Sequence, residues 1–156
     1  MKTQLMLALL LAGSFGGFAQ TKAEIVKNIN QLLAKAIGGT NITLHNGTET
    51  AFTITANSFS IDEEMNFGVF TMAKTFASSD RAKEETSTTS QIQTWNGFKV
   101  SPEQKDPKIK SVYPVFTKRD GEPDNDKNGI KYYCLAGDED KLIVALLQLQ
   151  NLYSKK

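Results

Sequence analysis

The chain has 156 residues, 40% hydrophobic and 22% charged, with 11 Gly, 4 Pro and a formal net charge of +1. This fits one globular domain and excludes a disordered, collagen-like or low-complexity chain. One Cys and one His rule out an internal disulfide, a cysteine-built metal site and a histidine-rich centre, and the near-zero charge offers no bulk field to draw nucleic acid or an anionic membrane.

Residues 1 to 20 read MKTQLMLALLLAGSFGGFAQ. One charge, Lys2, precedes an apolar run of 8 residues, Leu5 to Ala12, which Gly13, Ser14, Gly16 and Gly17 then break. That order predicts a signal peptide over residues 1–19, cleaved after Ala19, with Gly17 and Ala19 at the small −3 and −1 positions. The run is too short to span a bilayer, and no Cys follows to carry a lipid, so no stable membrane anchor is expected. Phe18-Ala19-Gln20 resembles a bacterial signal-peptide ending after which the mature chain starts with Gln. Residues 20–156 then form a single α+β domain, periplasmic or secreted, in which 17 basic residues face 17 acidic ones. Cys134, without a partner in its own chain, reads as a small buried residue or as one that pairs between chains.

Thr21-Lys22-Ala23-Glu24 matches a capping box, and Ile25, Ile29, Leu32, Leu33 and Ala36 follow as one stripe. A helix is predicted over 22–37, stopped by Gly38-Gly39. The period then changes. Ile42 and Leu44 alternate with polar neighbours up to Asn46-Gly47, a hairpin signal, and Phe52, Ile54 and Ala56 alternate after it. Further strands are predicted over Phe67–Phe76, around Ile92–Trp95, after a second hairpin signal at Asn96-Gly97, over Ile109–Phe116 and over Ile130–Leu135. Ser78 to Ser90 is polar and reads as an exposed loop or a short surface helix. Asp138 precedes Glu139, Asp140 and a wide apolar face from Leu142 to Tyr153, which predicts a C-terminal helix over 139–153.

Helix, six to seven antiparallel strands, helix is an α+β order, with the strands in one sheet, either open and curved or barrel-like. By this element order alone the chain is similar to pleckstrin-homology-like domains. The resemblance implies a partly closed barrel plugged by the C-terminal helix.

Three patterns bear on chemistry. Asp124-Asn125-Asp126-Lys127-Asn128-Gly129 fits the opening of a calcium loop, with oxygen ligands at alternate positions. The twelfth position holds Leu135 instead of Glu, and a strand follows instead of a helix, so an EF-hand is excluded. A solvated hairpin loop is the first reading. A non-helical calcium loop through Asp124, Asp126 and Asn128, joined by Asp120 or Glu122, is the second, and no other cofactor is expected. His45, beside a turn, is expected at the surface; a hydrolase reading would need it to meet loop carboxylates, a Ser or Cys134. Trp95, Tyr132 and Tyr133 are the candidate ligand-binding aromatics, and one of the two adjacent tyrosines is expected exposed or under a helix. The chain is thus expected to be a small exported binding or interaction domain without catalysis, its partner an unspecified protein, peptide or saccharide.

Overall fold

Thr21 opens the first helix, α1 (Lys22–Ala34): its hydroxyl accepts from the Glu24 N–H while the Glu24 carboxylate accepts from the Thr21 N–H at 2.8 Å. The computed structural model describes residues 20–45, 47–77, 83–101, 108–116 and 130–154, with residues 43–45 described by their backbone alone. Ile25, Ile29, Leu32 and Leu33 form the buried stripe of α1. The helix ends at Ala34, short of the expected 37, because residues 35–38 turn the chain and Gly38 takes φ +86°. Gly38 N–H donates to the Ile54 carbonyl and Gly39 accepts from the Ile54 N–H, so the chain is tied to a strand as soon as it leaves the helix.

Strands β1 (Thr40–His45), β2 (Thr48–Asp62), β3 (Phe67–Phe76) and β4 (Glu84–Gln91) form an antiparallel sheet in the order β1-β2-β3-β4. His45 pairs with Thr48, so β1 and β2 form a hairpin, with Gly47 at φ +78° beside the turn. β2 carries a bulge: Ile54 faces Lys74 but Ala56 faces Ala73, leaving Thr55 unpaired. The extra residue shifts the phase of alternation. Phe52 and Ile54 point inward before it, Asn57 and Phe59 after it, and Ala56 is not on the expected inner face. β1 covers β2 only as far as Thr53. Further along that edge the Asn30 side chain of α1 stands in for a strand, accepting from Phe59 N–H and donating to Phe59 C=O, both at 2.8 Å.

A 3₁₀ turn (Ile92–Thr94) leads out of this sheet and into a second one, formed by β5 (Trp95–Val100), β6 (Ile109–Phe116) and β7 (Tyr132–Leu135) in that order. The helix α2 (Glu139–Ser154) follows. The fold is therefore mixed α+β, with two antiparallel sheets of four and three strands. This corrects the expectation of one sheet, and neither sheet closes into the barrel that the pleckstrin-homology-like resemblance implies. The cause is at Gln91–Trp95: the chain turns inward on fully buried Ile92 instead of reversing to pair with β4. Two local expectations fail for related reasons. Residues 84–91 are a strand, not a loop or a surface helix: Thr and Ser tolerate an edge position wetted on both faces, where no apolar alternation is needed. Asn96-Gly97 is no hairpin; Gly97, at φ +95°, forms a register irregularity within β5.

One hydrophobic cluster joins α1, the inner face of the first sheet, the second sheet and α2. β7 lies deep in it, which exposes its outer edge to the problem of unpaired buried carbonyls. Asn57, 4% exposed, answers it: its amide donates at 2.8 Å to Tyr133 C=O on β7 and at 2.8 Å to Leu33 C=O on α1. At the start of α2, Asp138 is 7% exposed and its carboxylate receives Lys141 Nζ at 2.6 Å and Lys35 Nζ at 2.9 Å. The hydrogen bond from Lys141, then that from Lys35, holds the carboxyl below its ordinary value of 3.8. A depressed folded pKa stabilises the fold above the unfolded value, and that contribution disappears as pH falls below 3.8 through the folded value. Asp138→Asn should therefore flatten the acid limb of stability against pH. Denaturant midpoints measured from pH 6 to 2 check this, and parallel curves for the two proteins would remove the assignment.

Candidate functional site

Phe70, Met72 and Lys74 alternate along β3 and so share its inner face, where β4 sets Thr88, Thr86 and Glu84 directly opposite them. Lys131 and Tyr133, two residues apart at the start of β7, form the other wall. These eight side chains enclose a groove of about 260 Å³. Phe70, Met72 and Tyr133 at its floor are nearly fully buried, so most of the surface it presents is polar.

Lys74 is the unusual member. It continues the inward series Phe70, Met72 toward Phe76, a position where an aliphatic residue is the norm. Its ammonium sits 5.1 Å from the Phe52 ring centre and 5.3 Å from that of Phe76, and 3.5 Å from Glu84 Oε1. The side chain is only 15% exposed, so ring faces and one carboxylate together replace most of its water. Across the groove, Lys131 is exposed and makes no ion pair among the described residues.

Both tyrosines are buried, Tyr132 at 0% and Tyr133 at 7%, so neither stands outside, and both helices lie against β7. β7 is wedged into the core, so both of its faces meet apolar neighbours. Tyr132 packs on Phe70 at 4.7 Å and on Phe59 at 6.3 Å between ring centres, and Tyr133 meets Phe52 edge-on at 5.9 Å. Burial pushes the Tyr132 phenol far above its ordinary value, although its hydrogen bond with Ser90 works the other way. Burial pushes Tyr133 up to about 12, so its hydroxyl stays neutral at the groove. Trp95, 2% exposed, lies between Phe59 and Phe98; its indole N–H donates to Ser90 Oγ at 2.9 Å, and its carbonyl accepts from the Gln150 amide. Of the three aromatic candidates, Tyr133 alone lines the groove, and Trp95 and Tyr132 are core.

The other candidates fall elsewhere. Asp124, Asp126 and Asn128 lie outside the described residues. Among the described residues no three His, Cys, Asp or Glu side chains come together as a metal site. His45 ends β1, at the opposite edge of the sheet from β4, and only its backbone is described. Cys134 is fully buried, and its thiol is pushed up to about 12 by burial first, then by Glu139 and Asp138. A thiol held protonated in this way is a weak nucleophile and a weak ligand. The groove itself presents mainly hydroxyl and ammonium groups, with its one carboxylate engaged by Lys74. Among the described residues no helix is long and apolar enough to cross a membrane. No family model, curated protein or solved structure matches the chain.

Proposed function

We propose that the chain is a small exported binding domain without catalysis, which takes its ligand in the groove between β3, β4 and the start of β7. The observation that carries this reading is the groove's construction: hydroxyl and ammonium groups set around a concave, mostly polar surface, with a volume just below the range usual for small-molecule sites. Export rests on the signal-like order of residues 1–19, with cleavage after Ala19.

Thr86 is exposed on an edge strand, so a large residue there can fill the groove without disturbing the core. Thermal melting against a panel of saccharides, short peptides and small acids should find ligands that raise the midpoint. A ligand at 100 times its Kd adds about 2.7 kcal/mol. Thr86→Trp should abolish that gain and leave the unliganded midpoint within about 2 °C, a shift of less than 1 kcal/mol for a chain of this size. Turnover of sugars, peptides or esters that disappears in His45→Ala would replace this reading with the hydrolase one.

A further inference from the structure

We propose that β4 pairs antiparallel with β4 of a second copy of this chain, joining two four-stranded sheets across a two-fold axis at Ser87. The direction of the β4 backbone carries this furthest. Ile92 N–H donates to Asn66 C=O at 3.3 Å, which extends the β3–β4 ladder by one hydrogen-bonded pair. Bonded and non-bonded pairs alternate in an antiparallel ladder, so Ser90, Thr88, Thr86 and Glu84 bond to β3. Glu85, Ser87 and Thr89 therefore turn their N–H and C=O groups away from β3, toward the edge of the sheet, and all three residues are exposed. Gln91 would continue the row, but its carbonyl already accepts from the Thr94 hydroxyl at 2.8 Å. The outward row is thus Glu85, Ser87 and Thr89, with Ser87 at its centre.

Elsewhere the molecule closes its sheet edges with side chains or irregularities. On β1 the Asn41 side chain accepts from Ile42 N–H at 2.7 Å, and past the end of β1 Asn30 occupies the edge of β2. β5 is broken in register around Gly97, and on β7 the Tyr133 carbonyl is taken by Asn57. β4 is built differently. It has no Pro and no Lys over residues 84–91, and its register with β3 runs unbroken from Gln91 to Glu84. A straight, regular edge of this kind is a template for one more strand.

The sequence of β4 itself selects the occupant. Turned about Ser87, EETSTTSQ sets Ser87 opposite Ser87, Thr86 opposite Thr88, Glu85 opposite Thr89 and Glu84 opposite Ser90. Hydroxyl pairs are favourable across strands, and both acids meet hydroxyls. A parallel pair in register would instead stack each glutamate on its own copy. The contact is isologous, so it closes at two chains and does not propagate. One strand pair buries less than a standard interface, so the dimer is weak and depends on concentration.

Sedimentation equilibrium of the purified protein, from micromolar to millimolar concentration, tests this. The mass should rise from one chain toward two. Ser87→Lys and Ser87→Glu each set like charges across the axis at an exposed position, and each should remain a single chain throughout. An equimolar mixture of the two should associate at least as tightly as the unaltered protein, a recovery that unfolding of either variant cannot produce. Ser87→Pro removes an N–H that β3 does not use, so the fold should tolerate it while association weakens about tenfold or more. Unaltered protein that stays a single chain at millimolar concentration overturns the proposal. A dimer that persists in Ser87→Lys and Ser87→Pro overturns it as well, and so does a mixture of the charged variants that fails to associate.

Discussion

Replacing Asn57 with alanine should cost about 2–4 kcal/mol, far more than an asparagine in a strand ordinarily contributes. The size follows from what the side chain leaves behind. Residues 132, 134 and 136 make the hydrogen-bonded pairs with β6, as the bond from Ala136 N–H to Lys108 C=O shows, so the Tyr133 carbonyl faces away from that ladder. The Asn57 amide is its donor. Leu33 C=O loses a second bond but keeps Ala36 N–H. An orphaned buried carbonyl costs about 1–3 kcal/mol, and the space vacated by the amide adds to it. Asn57→Asp keeps the shape, removes the donors and buries a charge, so it should fall at least as far. Urea unfolding of the three proteins measures the differences. A loss under about 1 kcal/mol for alanine would show that β7 is held without this amide.

Trp95→Ala should be the most damaging change of all, at about 3–5 kcal/mol. Trp95 meets Phe59 and Phe98 at 6.5 and 5.3 Å between ring centres, and Gly68 leaves room for its ring: a Cβ there would come within 3.1 Å of the indole. The indole N–H also holds Ser90, which is bonded to Tyr132 as well. Trp95→Phe retains part of the ring surface and should lose roughly half as much as alanine does, about 1.5–2.5 kcal/mol. Denaturant midpoints check the order. Equal losses for Phe and Ala would place the energy in the hydrogen bond to Ser90 and not in packing.

The chain's pattern reveals those parts of the fold that repeat a period, and conceals those that interrupt one. The apolar stripe from Ile25 to Leu33 and the face from Leu142 to Leu149 read directly, as does the capping box at Thr21. The bulge at Thr55 does not. It moves Asn57 into the core, where a polar residue in an alternating strand would be assigned to the outside. The two Asn-Gly pairs are alike as text and differ in use: one lies at a hairpin, the other bends a strand. β4 carries no such signal, because an edge strand wetted on both sides shows no hydrophobic alternation at all. The groove depends on that strand, so Thr86, Thr88 and Glu84 had no local signal. Lys74 did have one, as a lone cation in the inward series of β3. Lys131 becomes significant only once β7 is known to face the first sheet.

The single passage between sheets at Ile92–Thr94 divides the chain into two successive halves. Residues before it supply α1 and the four-stranded sheet; residues after it supply the three-stranded sheet and α2. Each half has an apolar surface that the other covers: Phe59 and Phe70 await Tyr132, Phe52 awaits Tyr133, and α1 packs on α2 and β7. Asn57 must find partners 24 and 76 residues away before its NH2 group is satisfied. Most contacts nevertheless lie within each half, above all among β1 to β4, and the α1–α2 and α1–β7 contacts join the halves. Both sheets pair strands that follow one another in the chain, so each ladder can form within its half, and the core is completed when the two halves meet.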